Sequence, residues 1–230
     1  INLGLLNISI KKILLNVDYI LFHNIKLINV LKKFNKIKPL FFFFHTDKYK
    51  HIKKFRYIEH IFTVNTKTRN IVNTYFNSNK AKYLPNCINT DTMEVKNLVS
   101  SKRKKLVVGA MGRLIEKKGF DFLINVFKNL SNVDLIIGGA GPIKGHLIKL
   151  SENFSNIKLI GWVKDKDKFF SNIDVFCSSS TNEPFGLVIL EAMGRGIPVI
   201  STNCKGPSDI IKNYHNGILV NVNNIAELRY

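Results

Sequence analysis

The segment Glu183-Pro-Phe-Gly-Leu-Val-Ile-Leu-Glu191 separates two carboxylates by seven residues, and it follows the apolar run Val175-Phe-Cys. The apolar run predicts a strand, and Gly186 is expected to open a helix whose first backbone amides lack partners within the helix. Glu183 then lies in the loop that leaves the strand, and Glu191 projects from the helix more than one turn further on. A loop acid, unpaired amides and a helix acid suit a ligand that carries sugar hydroxyls and phosphates. The segment therefore predicts a nucleotide-sugar site.

Short apolar runs alternate with amphipathic stretches along the whole chain, which is typical of βα units and an α/β fold with parallel sheets. The expected strands cover residues 17–22, 39–44, 61–64, 81–84, 106–110, 133–137, 157–160, 174–178, 198–201 and 217–220. The expected helices cover residues 25–34, 68–76, 120–130, 167–171 and 208–212, with others opening near Pro142 and after Gly186. The polar, basic segment 96–105 has no apolar periodicity and predicts a linker, so we divide the chain into domains 1–100 and 101–230.

The charge of the chain is strongly positive and unevenly distributed. The 230 residues carry 35 Lys and Arg against 16 Asp and Glu, a formal net charge of +19. Residues 1–105 hold 21 of the basic and 5 of the acidic side chains. A codon bias toward Lys explains a basic chain without any function, but it should load both halves equally. The asymmetry favours an anionic membrane surface as a partner of the first half. Nucleic acid is disfavoured because no basic motif interleaved with aromatic residues and no zinc-finger spacing occurs.

Cysteine usage and hydropathy indicate the compartment. Cys87, Cys177 and Cys204 are widely spaced and form no CxxC pattern, so we expect reduced, mostly buried thiols in a cytoplasmic protein, peripheral on the inner membrane face. No apolar run approaches the roughly 20 residues that span a bilayer. The chain starts at Ile1 without a signal-peptide pattern and is expected to be a fragment.

Two cations follow the predicted strand 106–110. Gly112-Arg113 and Lys118 flank one loop, and cations held by a tight turn can neutralise a diphosphate, although solvated surface cations would give the same pattern. The run that contains Gly141 is a glycine-rich turn but not GxGxxG, which disfavours a redox dinucleotide fold. Trp162 is the single Trp, and either base contact or structural packing accounts for it.

The remaining candidates are histidines. His23 and His45 each follow a predicted strand of the first half, where a lone His is more often structural than catalytic. No nucleophile elbow, Walker or HExxH pattern occurs, and no cluster of acids indicates a metal site. We therefore predict no metal and no cofactor.

These motifs resemble the retaining GT-B glycosyltransferases of family 4, the group 1 glycosyl transferases of bacterial surface polysaccharide and lipopolysaccharide synthesis. The residues that carry the resemblance are 112–121, 139–142, 161–163, 183–194, 196–199, 206–207 and 216–220, with 18–24, 44–45 and 84–86 in the first half. The likeness implies two Rossmann-like lobes, truncated here at both ends. Residues 1–100 would be a partial N-terminal acceptor-binding lobe, and 101–230 a C-terminal donor-binding lobe.

The resemblance also implies a role for each matching residue. Arg113 and Lys118 would bind the donor diphosphate beside Gly112 and Gly141, and His45 would approach the donor sugar. Glu183 and the amides of Phe185, Gly186 and Leu187 would bind hydroxyls of the transferred sugar. Glu191 would bind the ribose, and backbone near Trp162 and Val163 would contact the base.

The expected activity is metal-independent transfer of a sugar from a nucleotide diphosphate donor, UDP-hexose or UDP-N-acetylhexosamine, to a glycan or lipid-linked acceptor. One alternative is a GT-B sugar-nucleotide epimerase, which needs no acceptor. Another is a non-catalytic basic protein that binds nucleic acid or membrane.

Overall fold

The computed structural model describes residues 8–32, 38–46, 49–95 and 105–229. The chain forms two compact units, Ile1–Asn86 and Cys87–Tyr230. The sequence placed the boundary between residues 100 and 101, in a linker that lies outside the described residues except for Lys105.

The described part of the first unit is a four-stranded parallel sheet in the order β1-β2-β3-β4. All five residues of β2 are apolar and their burial alternates, so that Leu40, Phe42 and Phe44 lie in a core where each is at most 3% exposed. The strands are β1 (Ile20–Phe22), β2 (Leu40–Phe44), β3 (His60–Thr63) and β4 (Ala81–Tyr83). The helices are α1 (Ile8–Leu15), α2 (Ile28–Leu31) and α3 (Thr66–Phe76).

The second unit is a six-stranded parallel sheet in the order β10-β9-β8-β5-β6-β7. Its strands are β5 (Leu106–Met111), β6 (Val133–Gly138), β7 (Ile157–Gly161), β8 (Val175–Ser178), β9 (Val199–Thr202) and β10 (Ile218–Val220). Its helices are α4 (Phe120–Phe127), α5 (Lys144–Ser151), α6 (Lys166–Ser171), α7 (Leu187–Met193), α8 (Pro207–Ile210) and α9 (Ile225–Arg229). The predicted α/β class with parallel sheets is confirmed.

The strand order of the second unit determines where a ligand can bind. β5 and β8 are neighbours, yet the chain continues from β5 toward one edge of the sheet and from β8 toward the other. At such a switch point the two outgoing loops diverge and leave a crevice at the carboxyl ends of the strands. The loop after β5 carries Arg113 and Lys118, and the loop after β8 carries Glu183.

Several predicted elements differ from the observed ones. The expected helix 25–34 is a 3₁₀ turn, Ile25–Leu27, followed by the short α2, and residues 33–34 lie outside the described part. The 3₁₀ segment Tyr49–Tyr57 was missed because its strongly basic sequence has no apolar run. Pro142 was expected in the first turn of a helix, but α5 starts at Lys144. Within the described residues, no helix has the length and apolar character needed to cross a bilayer.

Close backbone contacts hold the loops at the carboxyl edge together. A Cβ atom added at Gly206, in the loop after β9, would lie 2.2 Å from the carbonyl oxygen of Phe185. The amide of Gly206 also donates a hydrogen bond to the carbonyl of Glu183 over 2.9 Å. Only glycine allows this approach, so the loop after β9 supports the loop that carries Glu183.

We predict that Gly206→Ala destabilises the protein by about 1–3 kcal/mol, because the added methyl forces two backbones apart. Gly145 is the matched control, since it lies in α5 and an added Cβ there meets nothing within 4 Å. Gly145→Ala should leave stability unchanged or raise it by up to about 1 kcal/mol. Thermal unfolding of both variants measures the difference; equal melting temperatures would show that the Gly206 contact carries no constraint.

Candidate functional site

An ion pair at the switch point joins the loops that leave β5 and β8. Lys118 Nζ contacts Glu183 Oε2, and the two side chains are only 20% and 15% exposed. An ideal Cβ at Gly112 would lie 3.6 Å from Lys118 Cε, so the aliphatic stem of Lys118 passes beside Gly112. The structure therefore brings together three residues that the sequence assigned to one site.

A tight turn sets the position of Lys118. The 3₁₀ turn Glu116–Lys118 ends at Gly119, whose φ of 63° lies in the left-handed region that favours glycine. A Cβ there would lie 2.4 Å from the carbonyl oxygen of Ser179, directly after β8. The hydroxyl of Ser179 donates to the carbonyl of Lys118 over 2.8 Å. The β5 loop is therefore fastened to the β8 loop by backbone packing as well as by charge.

Glu183 is held by the turn that opens α7. Gly186 has a φ of 109°, a conformation that a side chain would strain. Phe185 is buried at 5% exposure and anchors the turn, while Leu187, the first residue of α7, is 41% exposed. The residue at the N-cap of α7, Gly186, makes no side-chain cap hydrogen bond. The turn thus fixes Glu183 against the sheet edge and leaves the start of α7 open.

Arg113 and Gly141 lie on the same edge with different environments. Arg113 is exposed, and in the described part of the chain its guanidinium forms no ion pair, so it is available to an anion. A Cβ at Gly141 would lie 2.2 Å from the carbonyl oxygen of Leu114. This close approach explains the glycine at position 141. A contact of Gly141 with the nucleotide-sugar donor stays a prediction.

Glu191 is held at its outer oxygen by a residue that sequence reasoning missed. Lys166 Nζ lies 2.7 Å from Glu191 Oε1. The other oxygen, Oε2, is enclosed and accepts no hydrogen bond from any described residue. A buried carboxylate oxygen without a donor is costly, so the Glu191 carboxylate has hydrogen-bonding capacity that the described residues do not use. Lys166 and Glu191 are 25 positions apart, and no sequence spacing signals their contact.

Trp162 is exposed, which argues against the packing role left open by the sequence. Its side chain is 71% exposed, and with Val163 it lines an open groove of about 660 Å³ beside α6. Neither Glu183 nor Glu191 lines that groove. The contact of backbone near Trp162 and Val163 with a base stays a prediction.

The two candidate histidines of the first unit form a pair. His23 Nδ1 and His45 Nε2 are 2.8 Å apart, so one nitrogen donates a hydrogen bond and the other accepts it. The His45 ring also stacks on Phe43, with centroids 4.4 Å apart. Partial burial, and secondarily the charge of His23, lower the pKa of His45 below its ordinary value. Sequence reasoning treated each His as isolated, because residues 22 positions apart give no sign of pairing.

One cysteine borders the Lys118–Glu183 pair. Cys204 accepts a hydrogen bond from backbone of Glu183, and burial raises the pKa of its thiol. Its place after β9 could have identified it, since the other candidates also follow strands. The expected mostly buried thiols are only partly observed: Cys177 is buried, with its pKa raised by burial to about 12, whereas Cys87 is exposed.

In the described ranges, no three His, Cys, Asp or Glu side chains lie close enough together to hold a metal ion. The absence of a metal and of a cofactor stays a prediction.

Comparison with known proteins identifies the relatives of the chain. It is 38% identical over 119 residues to the lipopolysaccharide core biosynthesis glycosyltransferase LpsE of Rhizobium meliloti (strain 1021), covering 50% of this chain and 35% of LpsE. It is 30% identical over 226 residues to an uncharacterised 41.2 kDa protein in the cps region of Klebsiella pneumoniae, covering 88% of this chain and 62% of that protein. The chain thus spans about a third of LpsE.

A solved structure and a family match complete the comparison. HepE from Anabaena, crystallised with UDP, superimposes with a TM-score of 0.82 at 21% identity, covering 99% of this chain and 72% of HepE. The α/β fold with two parallel sheets therefore matches that of GT-B glycosyltransferases. Residues 92–229 match the family described as Glycosyl transferases group 1. The chain belongs to the group 1 glycosyl transferases.

Proposed function

We propose that the protein transfers a sugar from a nucleotide diphosphate donor, UDP-hexose or UDP-N-acetylhexosamine, to a glycan or lipid-linked acceptor in cell-envelope polysaccharide synthesis. The observation that carries the proposal is the Lys118–Glu183 pair at the β5/β8 switch point. The names of the relatives support the acceptor class, and the UDP held by HepE supports the donor. The transfer is retaining and metal-independent in this proposal, as in family 4.

Different residues of the site bind different parts of the nucleotide-sugar donor. Arg113 and Lys118 bind the diphosphate and stabilise the negative charge that develops on the leaving group, which is the role of preorganised cations in such transfers. Glu183 accepts hydrogen bonds from hydroxyls of the transferred sugar. A phosphate oxygen of the leaving group then takes the proton of the acceptor hydroxyl on the same face of the sugar, so no second carboxylate is required.

The Lys118–Glu183 pair is compatible with donor binding. An ammonium group has three donors and a carboxylate accepts at several lone pairs, so one mutual contact leaves both groups with capacity. Lys118 can therefore contact a phosphate and Glu183 a hydroxyl while they remain paired. The pair also keeps each charge from being stranded when the site is empty.

The other predicted contacts complete the proposal. Glu191 binds the ribose, and backbone near Trp162 and Val163 meets the base. His45 approaches the donor sugar. The basic first half associates with an anionic membrane surface, and the protein acts at the cytoplasmic face of that membrane. The roles of Glu191, Trp162, Val163 and His45 follow from the resemblance, whereas the membrane surface follows from the uneven charge of the chain and the cytoplasmic location from its cysteine usage.

The activity itself is tested with a panel of UDP-, GDP- and ADP-sugars and a lipid-linked acceptor. We expect release of the nucleoside diphosphate only when the acceptor is present, and an anomeric configuration in the product equal to that of the donor. Consumption of donor without acceptor, with an epimeric sugar as product, would instead identify an epimerase. Steeply salt-dependent nucleic-acid binding without nucleotide-sugar affinity would identify a basic binding protein.

The division of labour between Glu183 and Lys118 gives a second prediction. Glu183→Gln should weaken binding of UDP-sugar by about 10- to 100-fold relative to its effect on UDP, because both ligands meet the altered Lys118 but only the sugar loses a charge-assisted bond. Lys118→Met should weaken both ligands, since both carry the diphosphate. Isothermal titration measures the four affinities.

Lys117→Met is the matched control, since Lys117 lies on the same turn with an exposed side chain and carries the same charge. It should change each affinity by less than about threefold. Equal losses of UDP and UDP-sugar in Glu183→Gln would contradict a sugar contact for Glu183. Thermal unfolding shows whether each variant keeps its fold.

The histidine pair gives a prediction for pH titration. His23→Asn should raise the pKa of His45 part of the way toward its ordinary value, because the charge of His23 is removed while the partial burial remains. Heteronuclear NMR of the imidazole rings measures both titrations. His60 serves as the internal reference, since it contacts Phe41 instead of the pair. An unchanged His45 midpoint would show that the charge of His23 does not lower the pKa of His45.

A further inference from the structure

Two ion pairs connect α6 with α7, and their positive side chains lie on opposite sides of the contact. Lys166, the first residue of α6, contacts Glu191 of α7 over 2.7 Å. In the reverse direction, Arg195, which lies two residues after the end of α7, donates through Nε to Asp167 Oδ1 of α6, also over 2.7 Å. Arg195 is only 5% exposed, and its guanidinium lies 4.8 Å from the ring centroid of Phe170. The buried Arg195 contact therefore fixes the start of α6, and Lys166 with it, beside Glu191.

Access to the Glu191 carboxylate passes the Lys166 ammonium. Glu191 Oε2 is enclosed, and Oε1 is the oxygen that Lys166 contacts. The Glu191 side chain is 14% exposed and that of Lys166 is 47% exposed, so Lys166 forms the solvent side of the pair. A hydroxyl that approaches this carboxylate consequently arrives within reach of the ammonium.

The chemistry of a diol matches the pair better than it matches the acid alone. Each ribose hydroxyl has one hydrogen to donate and lone pairs that accept. A carboxylate only accepts and an ammonium only donates, so Glu191 can satisfy one half of each hydroxyl and Lys166 the other half. One of the three ammonium donors is used by Glu191 Oε1, which leaves two for the ligand.

We propose that Lys166 is a second ribose-binding residue that acts with Glu191 and determines the specificity for a ribose over a deoxyribose. The inference rests on the proposed function in that the ligand is a nucleoside diphosphate. In this proposal α6 contributes a residue that binds the ribose, and the loop that contains Trp162 and Val163 leads into the same helix.

The test measures how binding depends on the ribose hydroxyls. The probes are UDP, GDP and ADP, followed by the 2′-deoxy and 3′-deoxy forms of whichever binds most tightly. In the unaltered protein, loss of either hydroxyl should weaken binding by about tenfold or more, since charge-assisted bonds are lost. In Lys166→Met, the complete nucleotide should bind at least about fivefold more weakly. The deoxy penalty, which is the factor by which loss of a ribose hydroxyl weakens binding, should fall below about threefold.

Lys168→Met is the matched control for the effect of the ribose hydroxyls, because Lys168 is an exposed residue of the same helix and the charge change is identical; since Lys168 lines the groove beside Trp162 and Val163, its overall affinity is not part of the comparison. It should keep the full deoxy penalty. Lys166→Arg retains a cation that can donate to both the carboxylate and a hydroxyl, and it should restore most of the penalty. Glu191→Gln serves as the reference for a ribose site without its acid, and thermal unfolding verifies the fold of each variant.

The outcomes separate this inference from the proposed function. If the penalty depends on Glu191 and is the same in Lys166→Met and Lys168→Met, the donor site stands and the role of Lys166 is refuted. Tighter binding by Lys166→Met would make Lys166 a competitor of the ligand, which also refutes it. If the unaltered protein binds none of the three nucleotides, the proposed function fails and this inference fails with it.

Discussion

The Lys118–Glu183 ion pair is the interaction on which the rest of the candidate site depends. It joins the outgoing loops of β5 and β8, the two parallel neighbours at which the strand order of the sheet reverses. Because both side chains are largely shielded from water, either charge alone would be poorly solvated, and the pair constrains the two loops to meet. The meeting point carries one cation and one acid, which suit the phosphates and the hydroxyls of the ligand that we propose.

Glycines make this meeting sterically possible. Gly119 brings its backbone against Ser179, and Gly206 brings its backbone against Phe185, in each case at a distance that a Cβ would prevent. Loops from three strands consequently pack backbone to backbone at the carboxyl edge. Such close packing limits how far the loops can shift, which favours the preorganised groups on which tight binding depends.

Charged side chains around Glu191 likewise hold two helices in position. Lys166 and Arg195 connect α6 and α7 with opposite polarity, so that neither helix can shift without separating two ion pairs. The loop that contains Trp162 and Val163 leads into α6, and the turn that contains Glu183 opens α7. The contacts between the helices therefore couple the part of the site expected at the base to the part expected at the ribose and the sugar.

Apolar runs and their spacing determined the α/β class, the parallel strands and the strand ends where the candidates lie, because burial of a strand depends on its own residues. Local patterns also predicted that Gly186 opens a helix between Glu183 and Glu191. They could not reveal the partners of the charged groups: Lys118 with Glu183, Lys166 with Glu191, and His23 with His45 are 65, 25 and 22 positions apart. Only the tertiary structure decided these pairings, since a contact between distant residues depends on strand order and loop packing, which leave no periodic mark in a single sequence.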